Sequence, residues 1–314
     1  MGEGMEHQIF APCTRRKRGM LDPSLRASAL HAAAIDRVAR VWIARLYAAR
    51  GLVPAEQFYS GRGAVEARAA AGALGAHLYF VSAGLGVVEA TQEVPAYSLT
   101  VSAGDPDCIA SAVRGAFSPA LWWRALNDAL GRRENGLTYA ISRCAGLSIM
   151  ALPSTYLELV GEELAALPPT IMARVRLIGP PRGVVRPEFA QAWMPYDARF
   201  DNADGPNPGT KADFAQRAAR HFAEAVVSIA PSANAITHAE MVDQCLKPLS
   251  APVLPRRKVS TDAELIEVIR GLLPKSGGRA GATLMLLRHQ AGRACEQGRF
   301  RRLFAAATAG SLVQ

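Results

Sequence analysis

The sequence predicts an α/β protein whose mostly parallel sheet is flanked by helices, followed by a small helical module. Four short apolar runs each end abruptly in small, polar or proline-rich residues, as buried strands do where they enter a loop. Helical stretches separate these runs, and this alternation favours a parallel sheet. A ligand crevice is then expected beyond the carboxyl ends of the strands. The four strand-to-loop joints are HQIFAPCTRRK, HLYFVSAGLG, LSIMALPSTY and MARVRLIGPPRG.

The helices between these strands follow from apolar spacing and end signals. Apolar residues recur near 3.6-residue intervals over residues 24–50, which predicts one long helix there. The stretch EARAAAGALG predicts a second helix that ends at its final glycine. Further helices are expected at 119–130 and 156–167. Trp122 and Trp123 point about 100° apart on such a helix, which favours packing in the core over base stacking.

Composition indicates a globular protein with an anionic partner. Half of the 314 residues are apolar, and the formal net charge is +9, which favours nucleic acid as the leading partner class. The five scattered cysteines form no Cys-x-x-Cys pair and the histidines lack ligand spacing, so we expect neither metal nor cofactor. No run approaches the roughly 20 apolar residues of a membrane helix, and the N-terminus lacks a signal-peptide pattern. We therefore expect a cytoplasmic protein without membrane contact; the oligomeric state is not predicted.

The chain is predicted to consist of two domains and a linker. Residues 1–246 form the α/β domain, and residues 247–260 form a basic, proline-rich linker. Residues 261–314 form a basic helical module in which Thr261 and Glu264 have the spacing of a capping box. Two later stretches, GATLMLLRHQAG and RACEQGRFRRLFAAAT, predict helices joined by a small turn, a layout like that of helix-turn-helix modules.

The basic residues fall into two groups that could contact DNA phosphates. Residues 256–302 contain eleven basic and four acidic residues, a net charge of +7. The other group follows the first strand, where phosphate contact and a merely solvated charge run are both open. The module could equally bind an acidic protein. The predicted DNA-binding residues are Arg15, Arg16, Lys17, Arg18, Arg256, Arg257, Lys258, Arg293, Arg299, Arg301 and Arg302.

The first third of the chain resembles a bacterial family of uncharacterised domains. That family has a Cys-Ser/Thr-x-x-Lys loop followed by Tyr-x-Gly, Ser-Ala-x-x-Gly and Pro-Tyr elements, and is similar to domains of archaeosine synthases. The resemblance implies a fold like that of uracil-DNA glycosylases. With the basic tail, the whole chain resembles phage-defence DNA glycosylases that remove glucosylated hydroxymethylcytosine. The matching positions are Cys13, Thr14, Lys17, Tyr59, Gly61, Ser82, Ala83, Gly86, Pro95 and Tyr97.

The sequence departs from these families at points that bear on catalysis. Gly84 and Leu85 stand where the bacterial family has Lys-Tyr, and Ser98 stands where it has Asp. The first loop also lacks the water-activating aspartate of uracil-DNA glycosylases. A catalytic carboxylate would therefore come from the long loop MPYDARFDNADGPNPGTK at residues 194–211, which contains Asp197, Asp201 and Asp204.

The resulting hypothesis is a DNA glycosylase that excises a hypermodified base from bacteriophage double-stranded DNA. Such chemistry needs a carboxylate near the anomeric carbon, donors toward the base and a flipped nucleotide. Asp197 or Asp201 would be catalytic, and Tyr97 or Tyr196 would stack on the base. The predicted base-binding residues are Cys13, Thr14, Ser82, Gly84, Gly86, Tyr97 and Tyr196.

Other interpretations of the same residues remain open. The aspartates could cap helices and form Asx turns, and Ser82 could simply begin a turn. Cys13 could be a nucleophile, although a small buried side chain fits better because no His or Asp is close in sequence. At the level of the whole protein, the alternatives are deazapurine base exchange or modification, and a non-catalytic DNA-binding sensor of modified bases.

Overall fold

A computed structural model of the chain describes residues 6–14, 16–131, 136–202, 205, 207–253 and 256–309. Contacts divide the chain into two compact units, residues 1–252 and 253–314. The division falls inside the stretch predicted to be a linker. In the described part of the chain, every helix is too short or too polar to cross a membrane.

The larger unit is built on a five-stranded, mostly parallel sheet, which confirms the predicted α/β class. All four predicted strands lie in it, in the spatial order β4-β3-β1-β6-β7. Strands β3, β1, β6 and β7 are mutually parallel, and β4 is antiparallel at one edge. The strands of this unit are β1 (Gln8–Pro12), β2 (Val53–Pro54), β3 (His77–Ser82), β4 (Gly86–Glu89), β5 (Glu93–Val94), β6 (Ser148–Ala151) and β7 (Val175–Ile178).

Helices pack against this sheet in two groups. Helices α3 and α8 pack on each other and against β1 and β6, while α1, α4 and α6 form a second packed set. Trp122 of α4 is fully buried, as expected for core packing. The helices of this unit are α1 (Ile35–Ala48), α2 (Ala55–Phe58), α3 (Arg62–Leu74), α4 (Pro119–Ala129), α5 (Leu137–Arg143), α6 (Ser154–Ala165), α7 (Pro169–Met172), α8 (Phe214–Phe222) and α9 (Ala235–Leu246).

The predicted long helix at 24–50 is wrong in its first third. Residues 23–29 form two short 3₁₀ turns, and α1 begins only at Ile35. The amide of Ala27 donates to the Ser98 carbonyl at 2.8 Å, and the amide of Ser28 donates to Asp107 at 3.2 Å. Long-range partners therefore take the backbone groups that a continuous helix would have used, and this brings residue 26 to the carboxyl edge of the sheet.

The smaller unit contains three helices and one short strand pair. Its elements are β8 (Lys258–Val259), α10 (Asp262–Ser276), α11 (Ala280–His289), β9 (Arg293–Ala294) and α12 (Gln297–Ala309). The predicted capping box at Thr261 and Glu264 is present. The helix predicted to start at Arg293 instead starts at Gln297, because Arg293 and Ala294 pair in parallel with β8. Leu265, Ile269, Leu287 and Phe300 lie in a core of this unit's own.

Candidate functional site

A polar cavity lies where β1 ends, at the carboxyl edge of the parallel strands. It encloses about 240 Å³. Three separated parts of the chain meet there: the loop after β1, the segment around residue 26, and the segment 98–107. Helix α6 adds a tyrosine from its first turn. The polar side chains around the cavity belong to Cys13, Thr14, Lys17, Arg26, Ser98, Thr100, Asp105, Asp107 and Tyr156.

The loop after β1 is fixed by backbone pairing. The amide of Cys13 donates to the Val81 carbonyl at 2.9 Å, which continues the ladder between β1 and β3. Thr14 Oγ1 lies 2.7 Å from the Arg16 carbonyl and 2.8 Å from the Ser60 carbonyl, so its hydroxyl holds the loop together. Lys17 forms an isolated bridge with Tyr59. Cys13, Thr14 and Lys17, the described residues of the Cys-Thr-x-x-Lys motif, therefore form one wall of the cavity.

Lys17 extends along the aromatic floor of the cavity. Its Nζ donates to the Tyr97 carbonyl at 3.2 Å and lies 3.7 Å from the centroid of the Tyr97 ring. Burial lowers the pKa of Lys17 below its ordinary value of 10.5, and nearby groups, chiefly Cys13 and then Asp107, offset only part of this shift. The cavity thus contains an amine that loses its proton more easily than a surface lysine does.

Arg26 and Asp107, which also line the cavity, form an ion pair. Arg26 Nη2 donates to Asp107 Oδ2 at 2.6 Å, while the other carboxylate oxygen accepts from the Ser28 hydroxyl at 2.7 Å. Burial alone would raise the pKa of Asp107, but hydrogen bonds from Ser98 and Ser28 outweigh it and hold the pKa below its ordinary value of 3.8. Asp107 is therefore ionised at neutral pH, and its oxygens are occupied by the groups that fix the wall.

Asp105 is the second carboxylate of the cavity. It is half-buried, and its Oδ1 accepts the amide of Asp107 at 2.9 Å. Thr100 lies nearby on the same wall, and its Oγ1 accepts the amide of Ser102 at 3.1 Å, which leaves the hydroxyl proton able to donate. The wall therefore offers a carboxylate and a hydroxyl donor within one small space.

Cys13 contacts Tyr156, another residue of the cavity lining, rather than a histidine. Its Sγ lies 3.0 Å from the Tyr156 hydroxyl. Burial raises the pKa of Tyr156 well above 10, so the phenol remains protonated at neutral pH. No described histidine lies among the lining residues, so this cysteine lacks the neighbouring base that activates a nucleophilic thiol.

The SAGLG segment lies beneath the cavity and does not line it in the described structure. Ser82 Oγ accepts the amides of Gly84 and Leu85 at 3.1 and 3.0 Å, which closes the hairpin between β3 and β4. Gly86 has φ +76° in this turn. The carbonyls of Ala83 and Gly84 accept from the indoles of Trp122 and Trp42, each at 2.7 Å. These backbone groups are used within the fold, so Ser82 acts as a turn residue, the alternative left open by the sequence.

Tyr97 supports the cavity from below. It is fully buried, and its hydroxyl lies 2.6 Å from Ser82 Oγ and 2.8 Å from the Tyr59 hydroxyl. A Cβ at Gly84 would come within 2.6 Å of the Tyr97 ring, so only glycine fits there. Gly84 therefore lies against the Tyr97 ring, and the Lys17 amine lies 3.7 Å from the ring centroid. The ring does not offer an open face to a base.

The predicted catalytic aspartates lie away from the cavity. Asp197 caps a 3₁₀ turn through the Arg199 amide at 2.9 Å and pairs with the Arg199 side chain. Asp201 accepts from Arg217 at 2.6 Å, and Arg217 is fully buried. Tyr196 is also buried, with its hydroxyl 2.7 Å from His221 Nδ1. These groups hold the 194–211 loop against α8. Asp204 and Arg15 lie outside the described residues.

The predicted DNA-binding residues divide into exposed and internally bonded groups. Arg16, Arg18, Arg256, Lys258 and Arg301 are exposed. Arg299 donates to Asp262 and to the Ser260 carbonyl, and Arg302 also pairs with Asp262. Three more make internal contacts: Arg257 with the Arg288 carbonyl, Arg293 with Ser260, and Lys17 with the Tyr97 carbonyl.

A larger cavity of about 750 Å³ lies at the opposite, amino-terminal edge of the sheet, beside His7, His77 and Cys144. His77 and Glu89 form a weak contact of 3.7 Å there, and both are about half exposed. Ligands of parallel sheets bind at the carboxyl ends of the strands, so we assign the site to the smaller cavity.

Six polar residues of the cavity were missed by the sequence analysis: Arg26, Ser98, Thr100, Asp105, Asp107 and Tyr156. The turn-rich stretch SAGDPDCIA carried the signal for both aspartates. Comparisons with protein families, curated proteins and solved structures give no match. Within the described residues, no group of three or more His, Cys, Asp or Glu side chains could hold a metal ion.

Proposed function

We propose that this protein is a DNA glycosylase that cleaves the N-glycosidic bond of a hypermodified base, with Asp105 as its catalytic carboxylate. The observation that carries this proposal is the convergence of Asp105, Thr100 and Arg26 on one cavity at the carboxyl edge of the sheet. The same edge carries the Cys-Thr-x-x-Lys loop on which the resemblance to glycosylase-like domains rests.

The size of the cavity supports a flipped nucleobase as the ligand. Pockets for drug-sized molecules enclose about 300–1,000 Å³, and this cavity encloses about 240 Å³. A nucleobase is smaller than most drugs and fits such a space. A sugar attached to the base would project through the mouth toward solvent. This geometry suits a hypermodified cytosine whose added group is recognised outside the cavity.

The chemistry follows from where charge develops. As the glycosidic bond breaks, positive charge builds on the deoxyribose and negative charge on the departing base. The Asp105 carboxylate would stabilise the sugar and accept a proton from the attacking water. Arg26 and Thr100 would donate hydrogen bonds to the base. The water oxygen bonds to C1′ as the C1′–N bond breaks, and the departing base takes up a proton from solvent. The products are an abasic site and the free base, and Asp105 returns its proton to solvent.

Exposed basic residues would supply the affinity for DNA. Arg16 and Arg18 flank Lys17 in the chain and are exposed, as are Arg256, Lys258 and Arg301 in the smaller unit. Phosphate contacts of this kind give most of the sequence-independent affinity of DNA-binding proteins. Phosphate binding would hold the duplex while the modified nucleotide is extruded into the cavity.

The test compares DNA containing glucosylated hydroxymethylcytosine with unmodified DNA of the same sequence. Each duplex is incubated with the purified protein and then heated in alkali, which breaks strands at abasic sites. We expect breaks only at the modified positions, and Asp105→Asn should lower their rate by about 10²–10⁴-fold, the range for a general acid or base.

Intact strands in both duplexes would overturn the glycosylase proposal for this base. Salt-sensitive binding without breaks would then favour a sensor of modified bases. Breaks that appear only after a free deazapurine is added would favour base exchange.

A further inference from the structure

We infer that Lys17 is a nucleophile that attacks C1′ of the abasic sugar, so that the same cavity also cleaves the DNA strand by β-elimination. This inference rests on the proposed function, because the abasic sugar is the product of the glycosylase step. It adds a second activity and a covalent intermediate to that step.

The position of Lys17 is the first support. It is the one lysine among the residues that line the described cavity, and Asp105 faces the same space. Its Nζ is located by the Tyr97 carbonyl at 3.2 Å and by the Tyr97 ring. The amine is therefore held at a defined place in a cavity that Asp105 also lines. Imine formation requires the amine, and the later removal of a proton requires a base such as the carboxylate.

The surroundings of Lys17 are the second support. Phe58 and Tyr97 give it an apolar floor, with Nζ 5.7 Å from the Phe58 ring centroid. A buried lysine has a lowered pKa, and its neutral amine is the form that attacks carbonyl carbon. An arginine could not serve here, since its guanidinium keeps its proton.

The reaction balances without an added oxidant or reductant. The neutral Lys17 amine adds to the C1′ aldehyde of the ring-opened abasic sugar. The adduct takes up a proton from solvent and loses water, which gives a protonated imine. Asp105 removes a proton from C2′, a C2′=C3′ double bond forms, and the C3′–O bond breaks. The 3′ phosphate departs as a 5′-phosphate end on the downstream strand. Water then hydrolyses the imine, and Lys17 and Asp105 release their protons to solvent, which restores both residues.

The experiment uses the full chain and a labelled duplex that already contains one abasic site, made by removing uracil enzymatically. Sodium borohydride is added, since it reduces an imine to a stable amine linkage. We expect a covalent protein–DNA complex and, without borohydride, a nicked strand. Proteolysis and mass spectrometry of the wild-type complex should locate the adduct on Lys17. Lys17→Arg should lose both products, while Lys247→Arg, an exposed lysine of the same unit, should retain them.

No covalent complex, or an adduct on another amine of the wild-type protein, would overturn the inference whatever the variants do. The preformed abasic site separates this result from the glycosylase proposal. Alkali-labile sites in modified DNA without trapping would leave the glycosylase proposal intact and remove only the lyase. Trapping at Lys17 without release of a modified base would support the lyase and overturn the glycosylase proposal for that base.

Discussion

Two clusters of aspartate and basic residues lie in the larger unit, one around the cavity and one between the 194–211 loop and α8. Around the cavity, Lys17 and Asp105 line the same space, and Arg26 pairs with Asp107 at 2.6 Å. At the loop, Arg217 is fully buried and donates to both Asp201 and Asp213, at 2.6 and 2.7 Å. Similar side chains thus line a cavity in one cluster and form buried ion pairs in the other.

This difference indicates that the surroundings of the carboxylates distinguish an acidic structural loop from an acidic candidate site. In the loop they contact arginine side chains, and in the candidate site they line a cavity. The loop aspartates are matched by arginines that cross from α8 and from within the loop itself. Removing one partner of a buried ion pair leaves an uncompensated charge, so such clusters govern stability. We expect substitutions in the loop cluster to alter unfolding, and substitutions around the cavity to alter chemistry.

The largest effect on stability is expected from Arg217→Met. It removes the buried partner of Asp201 and Asp213, so the free energy of unfolding should fall by about 3–5 kcal/mol. Urea denaturation followed by circular dichroism measures this. Asp105→Asn in the cavity is the matched comparison and should lower it by no more than about 1 kcal/mol. Equal losses in the two variants would erase the proposed division between the clusters.

A smaller loss is expected beneath the cavity. Tyr97→Phe removes a hydroxyl that lies within 2.8 Å of Ser82 and Tyr59 partners, and leaves a buried polar group with one partner fewer. We expect a loss of about 1–3 kcal/mol in the free energy of unfolding. Tyr139 is 39% exposed, and Tyr139→Phe should change it by less than about 0.5 kcal/mol. An unchanged Tyr97→Phe would mean that this network does not support the floor.

The two clusters should also respond differently to acid. Burial lowers the pKa of His221, which contacts Tyr196 of the loop, below its ordinary value of 6.5. The unfolded chain then binds more protons, so stability is full above pH 6.5 and falls as the pH drops from there toward the lowered pKa. His7 and His238 act in the same direction. The pKa of Asp107 is lowered from 3.8, so the Arg26–Asp107 pair should weaken only below that pH.

Measuring the free energy of unfolding between pH 8 and pH 5 tests the acid response. His221→Gln should make the slope smaller by up to about 1.4 kcal/mol per pH unit, which is the value for one proton. If His221→Gln leaves the slope of unfolding free energy against pH unchanged, His221 does not contribute to the acid sensitivity.

The smallest effect is expected for DNA affinity in the second unit. Arg301 is exposed, so Arg301→Ala should reduce the slope of log affinity against log salt by about 0.9, the value for one phosphate contact. Arg270 pairs with Glu267 at 2.7 Å, and Arg270→Ala should leave the slope close to that of the wild type. Fluorescence anisotropy with a labelled duplex at several salt concentrations measures both. Identical slopes for the wild type and Arg301→Ala would exclude a phosphate contact there.

The sequence predicted the sheet and one wall of the cavity because those features are local. A short apolar run that ends in Ser-Ala-Gly, and a helix that ends at Gly75, each carry their own signal. Tyr156 lies in the first turn of α6, just after a predicted strand-to-loop joint. The expectation of a site beyond the carboxyl ends of the strands could therefore have identified it. The position of Arg26 was hidden, because contacts with residues about 80 positions away replace the helix that local periodicity predicted.

The carboxylate predicted from the sequence differs from the one proposed from the structure for a related reason. The 194–211 loop and the stretch SAGDPDCIA are both acidic and turn-rich in the sequence. Only tertiary contacts reveal that Arg217 neutralises the first, whereas Asp105 of the second reaches the cavity. Charge patterns identified both loops as polar, and only the packing of α8 reveals that Asp201 of the first loop pairs with the buried Arg217.

The most direct test of this account is the single-turnover rate of abasic-site formation in DNA containing glucosylated hydroxymethylcytosine, measured for Asp105→Asn and Asp197→Asn. Asp197 is 49% exposed, so its amide variant should fold and serve as the matched control. We predict a rate lowered at least about 100-fold for Asp105→Asn and a rate close to that of the wild type for Asp197→Asn. The reverse order would place the chemistry in the loop and contradict the assignment of the cavity.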